Sequence, residues 1–250
     1  MSIEIGEVEA VIRYPVKSMR GEPLGAAELD WHGIVGDRRL ALRRLDDHSG
    51  FPWLSASNLP ELILFAPLLR GSPLEQDLPT HVRTPEGDEL TVFGQELAAD
   101  VGRRLGSPVQ MMHLRQGIFD EAGISVITAA TVSEIGKLAT LAPDLRRFRP
   151  NIVIRSLRSV PFEEDEWVGG ALSFGEGAGA ATIAVTMRDE RCSMVNFDPD
   201  SARPAAAMLK AIVQVKSNKA GVYGTITRCG RLTVGQTIFF EPLLHRVVRV

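Results

Sequence analysis

Cysteine is almost missing from this sequence of 250 residues: it occurs only as Cys192 and Cys229. Two thiols outside any C-x-x-C pair exclude a disulfide framework, and a four-cysteine iron–sulfur site cannot come from this chain alone. Histidine is thin as well. The five residues at 32, 48, 81, 113 and 245 are scattered without the spacing of structural zinc ligands. No stretch approaches the ~18–20 uninterrupted apolar residues of a membrane-spanning helix. The opening "MSIEIGEVEAVIRYPVKSM" carries acids early and lacks a basic-then-apolar leader layout, so a soluble, cytoplasmic protein is expected. There is no excess of charge either. With 28 basic and 31 acidic residues the formal net charge is -3, and no global field draws the chain to nucleic acid or to a membrane. Any bound anion must be held by a local cluster of cations.

What is present reads first as strands and turns. "EVEAVIRYPV" alternates around Val8, Ala10 and Ile12 until Pro15 interrupts it. "RRLALRRL" sets Leu40, Leu42 and Leu45 among arginines, and "ELILFAPLL" is a short apolar run near prolines. "ELAADVGRRLG" is helical, with Leu97, Val101 and Leu105 on one face and Gly106 to end it. Further on, "TVSEIGKLATLA" has Thr131 and Glu134 at capping-box spacing and a stripe of Val132, Ile135, Leu138 and Ala139. "RPAAAMLKAIVQV" predicts a helix from Pro204, with Met208, Leu209 and Ile212 at helical spacing. "PNIVIRS", "ALSFG", "ATIAVTM" and "GRLTVGQTIFFEP" are strand-like, and "GEGAGAAT" lacks the lysine of a phosphate-binding loop and reads as a hairpin connection. Without regular βαβα alternation, the expected fold is mainly β (α+β), barrel-like, with a few amphipathic helices. The polar stretch "MMHLRQGIFDEAG" marks the expected boundary between residues 1–115 and 116–250.

Four stretches carry chemistry. "YPVKSMRG" supplies Lys17 and Ser18, "GIVGDRR" supplies Arg38, "RRFRPNIVI" supplies Arg149 and Asn151, and "ERCSMVNFDPD" supplies Arg191 and Cys192. Arginine and lysine bind phosphate oxygens through charge-assisted hydrogen bonds. A cation beside Cys192 favours the thiolate, the form that binds soft metals or attacks electrophiles. Each feature also has a plain reading: a strand cysteine as a small buried hydrophobe, arginines in surface ion pairs, and Asn151 as the end of a turn.

Taken in order, "YPVKS", "GIVGDRR", "RFRPNIVI", "RCSMVNFDPD" and "GVYGTITRCGRLTVGQ" make the chain resemble the MOSC proteins, named for the C-terminal domain of molybdenum cofactor sulfurases. It is most similar to the two-part subgroup in which a MOSC N-terminal β-barrel-like domain precedes the MOSC domain. The mitochondrial amidoxime-reducing component and its bacterial relatives belong there. The resemblance implies that Cys192 is the protein ligand to molybdenum held otherwise by a pyranopterin. It implies that Lys17, Ser18, Arg38, Arg149, Asn151 and Arg191 hold the pterin and its phosphate, with Tyr223 and Asp120 as further contacts. Ser201-Ala202, Cys229-Gly230 and the serine near residue 57 depart from residues frequent in relatives, and Cys229 reads as packing. The implied activity is reduction of a small N-hydroxylated or N-oxygenated compound. The chain has no flavin or nicotinamide fingerprint, so electrons would come from an external ferredoxin, flavoprotein or cytochrome-type partner. Two other readings use the same residues: a sulfur carrier with a persulfide on Cys192, or a non-catalytic module binding the molybdenum cofactor or pyridoxal phosphate.

Overall fold

The first strand decides the architecture, because both of its edges are paired. The structure, a computed structural model, describes residues 2–70, 78–119 and 121–242. Its strands are β1 (Ile3–Arg13), β2 (Glu22–Leu24), β3 (Ala26–Asp30), β4 (Gly33–Ile34), β5 (Leu40–Arg44), β6 (Ala66–Leu68), β7 (His81–Arg83) and β8 (Glu89–Thr91). After helix α1 (Gln95–Leu105) come β9 (Val109–His113), β10 (Ile124–Thr128), helix α2 (Ala129–Ala139), β11 (Ile152–Ser156), β12 (Ala171–Phe174) and β13 (Ala181–Glu190). Helix α3 (Ala207–Lys216), β14 (Lys219–Arg228), β15 (Gly230–Thr233) and β16 (Thr237–Glu241) complete the order. The plain alternation expected of Val8, Ala10 and Ile12 fails for a physical reason. A bulge between Val8 and Ala10 shifts the register against β11. Val11 then joins Val8 inside the main core, while Ala10 and Ile12 face the helices.

Seven strands close into a barrel in the order β1-β11-β10-β14-β13-β12-β16 and back to β1. Gly6 permits the closure: a Cβ there would lie 2.2 Å from the Arg155 carbonyl oxygen. The one parallel pair of the ring, β10 with β11, needs a crossover, and α2 provides it. Inside the ring lie Val8, Val126, Ile154, Phe174, Ile183 and Ile238 among others. Outside it, α2 and α3 bury Val132, Ile135, Met208 and Ile212 against Ile127 and Val153. The N-terminal stretch adds the β5–β9 ribbon, the β6–β7–β8 sheet and α1 over a separate core of Leu40, Leu42, Phe65, Val82, Leu97 and Val101. The two halves of the sequence share sheets, because β1 lies in the ring and β15 pairs with β3.

The mainly β fold, with three α-helices among the described residues, agrees with the expectation, and "GEGAGAAT" does join the antiparallel strands β12 and β13. Several local readings are corrected. The cap of α2 is Thr128, whose side chain accepts from Thr131 N–H, so Thr131 is not the cap residue. Leu138 is exposed, as is Leu45 beyond the end of β5. "ELILFAPLL" begins as a 3-10 turn over Pro60–Leu64 and only then becomes β6. α3 starts at Ala207, because Pro204 is held back in a bridge with Phe197. Among the described residues no helix is long and apolar enough to cross a membrane.

Candidate functional site

The chain segments leaving β1, β4 and β13, and the segment entering β11, converge on one cavity of about 600 Å³. Its wall includes Lys17, Ser18, Arg38, Arg149, Arg191, Cys192 and Tyr223. Residues from five distant stretches, each of weak meaning alone, thus meet in space. Three of them hold a left-handed backbone without being glycine: Ser18 at φ 64°, Arg38 at 52° and Arg149 at 51°. Such conformations cost on the order of 1–3 kcal/mol each and persist where surrounding structure enforces them. At Arg38 the enforcement is visible, since its N–H donates to the Tyr14 carbonyl and its own carbonyl accepts from Ile118 N–H.

Cys192 is exposed and lies beyond the end of β13, at the N-cap of a 3-10 turn over Ser193–Asn196. The reading as a buried strand cysteine therefore fails, while Cys229 does pack against the barrel core. The neighbouring cation is turned away into the wall. Arg191 Nε donates to the Ala220 carbonyl at 2.7 Å, Nη1 to the Phe148 carbonyl at 2.6 Å, and Nη2 pairs with Asp189 at 2.8 Å. That last contact is an ion pair without hydrogen-bond alignment. Arg191 thus builds the wall from which Cys192 projects.

Asn151 is buried and is not on the cavity surface. Its Oδ1 accepts from Ser125 N–H at 3.1 Å, and its Nδ2 donates to the Ile12 carbonyl at 3.2 Å and to Asp37 at 3.1 Å. It ties β1 and β10 to the turn that carries Asp37, behind the cations. Asp120 lies outside the described residues.

Sequence reading missed the carboxylates. Asp189 lines the cavity almost fully buried, accepting from the Ser125 hydroxyl at 2.8 Å. Burial pushes its carboxyl up, opposed by the Arg191 guanidinium and by hydrogen bonds from Ser125 and Tyr223. Asp37, fully buried beneath the cavity, is likewise raised by burial and opposed first by Arg38. Both sit beside a residue that was singled out, at 38 and at 191, so charge pairing in sequence was the available signal. Irregular pairing of β13 with β14 between Val185 and Glu190 re-aims this end of the strand toward the cavity. At the mouth stand exposed Phe51, with the Lys17 ammonium 5.5 Å from its ring centre, and the Ser57 and Ser193 hydroxyls 3.4 Å apart. Among the described residues, no three of His, Cys, Asp and Glu form a group that could hold a metal ion.

The family models for the MOSC N-terminal beta barrel domain and the MOSC domain match residues 5–122 and 102–239. The chain belongs to the MOSC family. Members of that family are associated with binding of the molybdenum cofactor. The fold of this MOSC protein is similar to the crystal structure of the YUAD protein from Bacillus subtilis, with a TM-score of 0.53 at 13% identity over 98% of this chain and 100% of that one. YiiM from Geobacillus stearothermophilus aligns over 48% of this chain and 54% of its own, at 20% identity and a TM-score of 0.35. No curated protein sequence matches the chain.

Proposed function

We propose that this MOSC protein is a molybdenum-dependent oxidoreductase that reduces small N-hydroxylated or N-oxygenated compounds, with Cys192 as the protein's ligand to the metal. The observation that carries the reading is one of composition within a single cavity. An exposed thiol shares about 600 Å³ with Lys17, Ser18, Arg38 and Arg149. Soft donor and phosphate-binding cations together suit a metal carried on a phosphorylated organic scaffold, and neither half alone would. When bound, the molybdenum–pyranopterin supplies the two-electron redox chemistry that removes oxygen from nitrogen.

The chain's own residues bind, orient and protonate. Lys17, Arg38 and Arg149, with the Ser18 hydroxyl, would hold the phosphate and pterin end. Arg191 fixes the wall by joining the Phe148 and Ala220 carbonyls, which sets where Cys192 projects. Asp189, with its raised carboxyl and its Ser125 and Tyr223 hydroxyl partners, can keep a proton at the cavity wall. Electrons would arrive from a separate ferredoxin, flavoprotein or cytochrome-type partner.

Metal and oxidised-pterin analysis of protein made in a host that synthesises the cofactor tests this, with Cys192→Ala alongside. Near-stoichiometric molybdenum and pterin are expected in the wild type. The variant should keep much of the pterin, lose molybdenum and lose amidoxime reduction. Wild-type protein lacking both would overturn the reading, and a mass gain of one sulfur atom on Cys192 would instead identify a persulfide carrier. Unchanged turnover in Cys192→Ala would remove Cys192 as the ligand.

A further inference from the structure

Tyr14 was not singled out by sequence and does not line the cavity, yet two of the cavity arginines, Arg38 and Arg149, rest on it. The guanidinium carbon of Arg149 is 4.2 Å from the Tyr14 ring centre, and that of Arg38 is 5.8 Å from it. Both are within the ~6 Å over which a cation is attracted to an aromatic face. The backbone that carries the ring is fixed. Tyr14 N–H donates to Asp37 Oδ1 at 2.6 Å, and its carbonyl accepts from Arg38 N–H at 2.8 Å. Asp37, buried, turns its other oxygen to Asn151 Nδ2 at 3.1 Å and to Arg38 Nε at 3.5 Å. Arg38 Nη2 donates to the Arg149 carbonyl at 3.4 Å, and Arg149 Nη1 to the Met19 carbonyl at 2.7 Å. Two like charges are thereby gathered at one aromatic ring, in backbone conformations that only a surrounding framework would hold.

That arrangement is poor economy for packing alone. It is what an anion site needs if its cations are to be in place beforehand, because ordering long side chains on binding weakens affinity. We propose that Tyr14 is a positioning residue whose ring, on a backbone held by Asp37, pre-stacks Arg38 and Arg149 so that both guanidiniums meet a phosphate-bearing ligand in the cavity. Burial and the flanking cations act oppositely on the phenol. Burial prevails, lifting it to about 12 while Arg149 and Arg38 pull down. The proposal rests on the cofactor reading only for the identity of the ligand; anion binding can be measured without it.

The test is calorimetric titration of the full chain with inorganic pyrophosphate. Tyr14 is replaced by Phe, then by mono- and trifluorinated phenylalanines, which keep nearly the same size while draining charge from the ring face. Phe should bind within about twofold of wild type, and affinity should fall stepwise by roughly five- to tenfold across the fluorinated series. A flat series, in proteins with unchanged thermal transitions, would overturn the proposal, as would a wild-type protein that does not bind pyrophosphate. The two readings fail separately. Stepwise weakening in a protein that never acquires molybdenum or pterin keeps Tyr14 and removes the cofactor. A flat series in protein loaded with both does the reverse.

Discussion

Gly221 shows how narrowly single residues are set around the cavity. Its φ is +82°, and a Cβ there would lie 2.7 Å from the Val126 carbonyl oxygen and 2.9 Å from Arg191 Nη2. Gly221→Ala should therefore cost about 2–4 kcal/mol, combining left-handed strain with overpacking against backbone and a buried guanidinium. Denaturant unfolding checks this; a loss below about 1 kcal/mol would mean that Arg191 yields easily. Gly221 and Tyr14 stand at the start of two of the motifs that carry the resemblance, but neither was given a role in sequence, because each matters through a neighbour far along the chain. Lys17, Ser18, Arg38, Arg149 and Cys192 were legible as residue types suited to anions and metal, and they do gather on one cavity. Arg191 and Asn151 were legible only as positions. Adjacency in sequence suggested that Arg191 serves the Cys192 thiol, whereas the guanidinium turns to two carbonyls and Asp189.

At the scale of elements, the start of α2 is instructive. The sequence offers two threonines there, and spacing alone favoured Thr131 as the cap. The actual cap, Thr128, closes β10 and opens α2 in consecutive residues, so strand and helix share a hinge that helical periodicity does not reveal. Buried Glu164 then staples it, accepting from the Thr128 and Thr131 hydroxyls, each at 2.9 Å, and from Thr128 N–H at 3.5 Å. Burial raises the Glu164 carboxyl. A carboxyl raised in the folded state contributes stability that is complete below its ordinary value of 4.5 and is lost as pH rises through the folded value. Glu164→Gln should remove that dependence and lie within about 1 kcal/mol of wild type at acid pH, overtaking it toward neutrality. Glu164→Ala, which strands the donors, should lose roughly 2–4 kcal/mol. Unfolding midpoints from acid to neutral pH distinguish them, and a Gln variant with the wild-type slope would discount the carboxyl. Strands such as β11 and β13 were readable because buried β-branched runs have few other folds available, whereas β14 was not read as a strand. The bulges that aim their ends were not, since an extra residue leaves composition unchanged.

For the whole molecule, the order of the two parts was readable but the way they share a barrel was not. Alternation in "EVEAVIRYPV" signals a strand without naming its partners, and those partners are β11 and β16. A fragment of residues 116–250 lacks the strand between them, exposing two unpaired edges and opening the core around Val126 and Ile154. It should show no cooperative thermal transition where the full chain shows one. Cooperative melting of the fragment near the full-length midpoint would mean that closure by β1 is dispensable.

The same strand imposes a schedule on synthesis. Ile3 pairs with Phe240, so at ~5–20 residues per second roughly 10–50 s separate the emergence of the two from the ribosome. Throughout that interval β1 can pair with β2 and then with β11, but its Ile3–Glu7 edge, which takes β16, stays open. A nascent chain of this protein must therefore keep that one edge sheltered, in the tunnel vestibule or by a chaperone, until Phe240 has been translated.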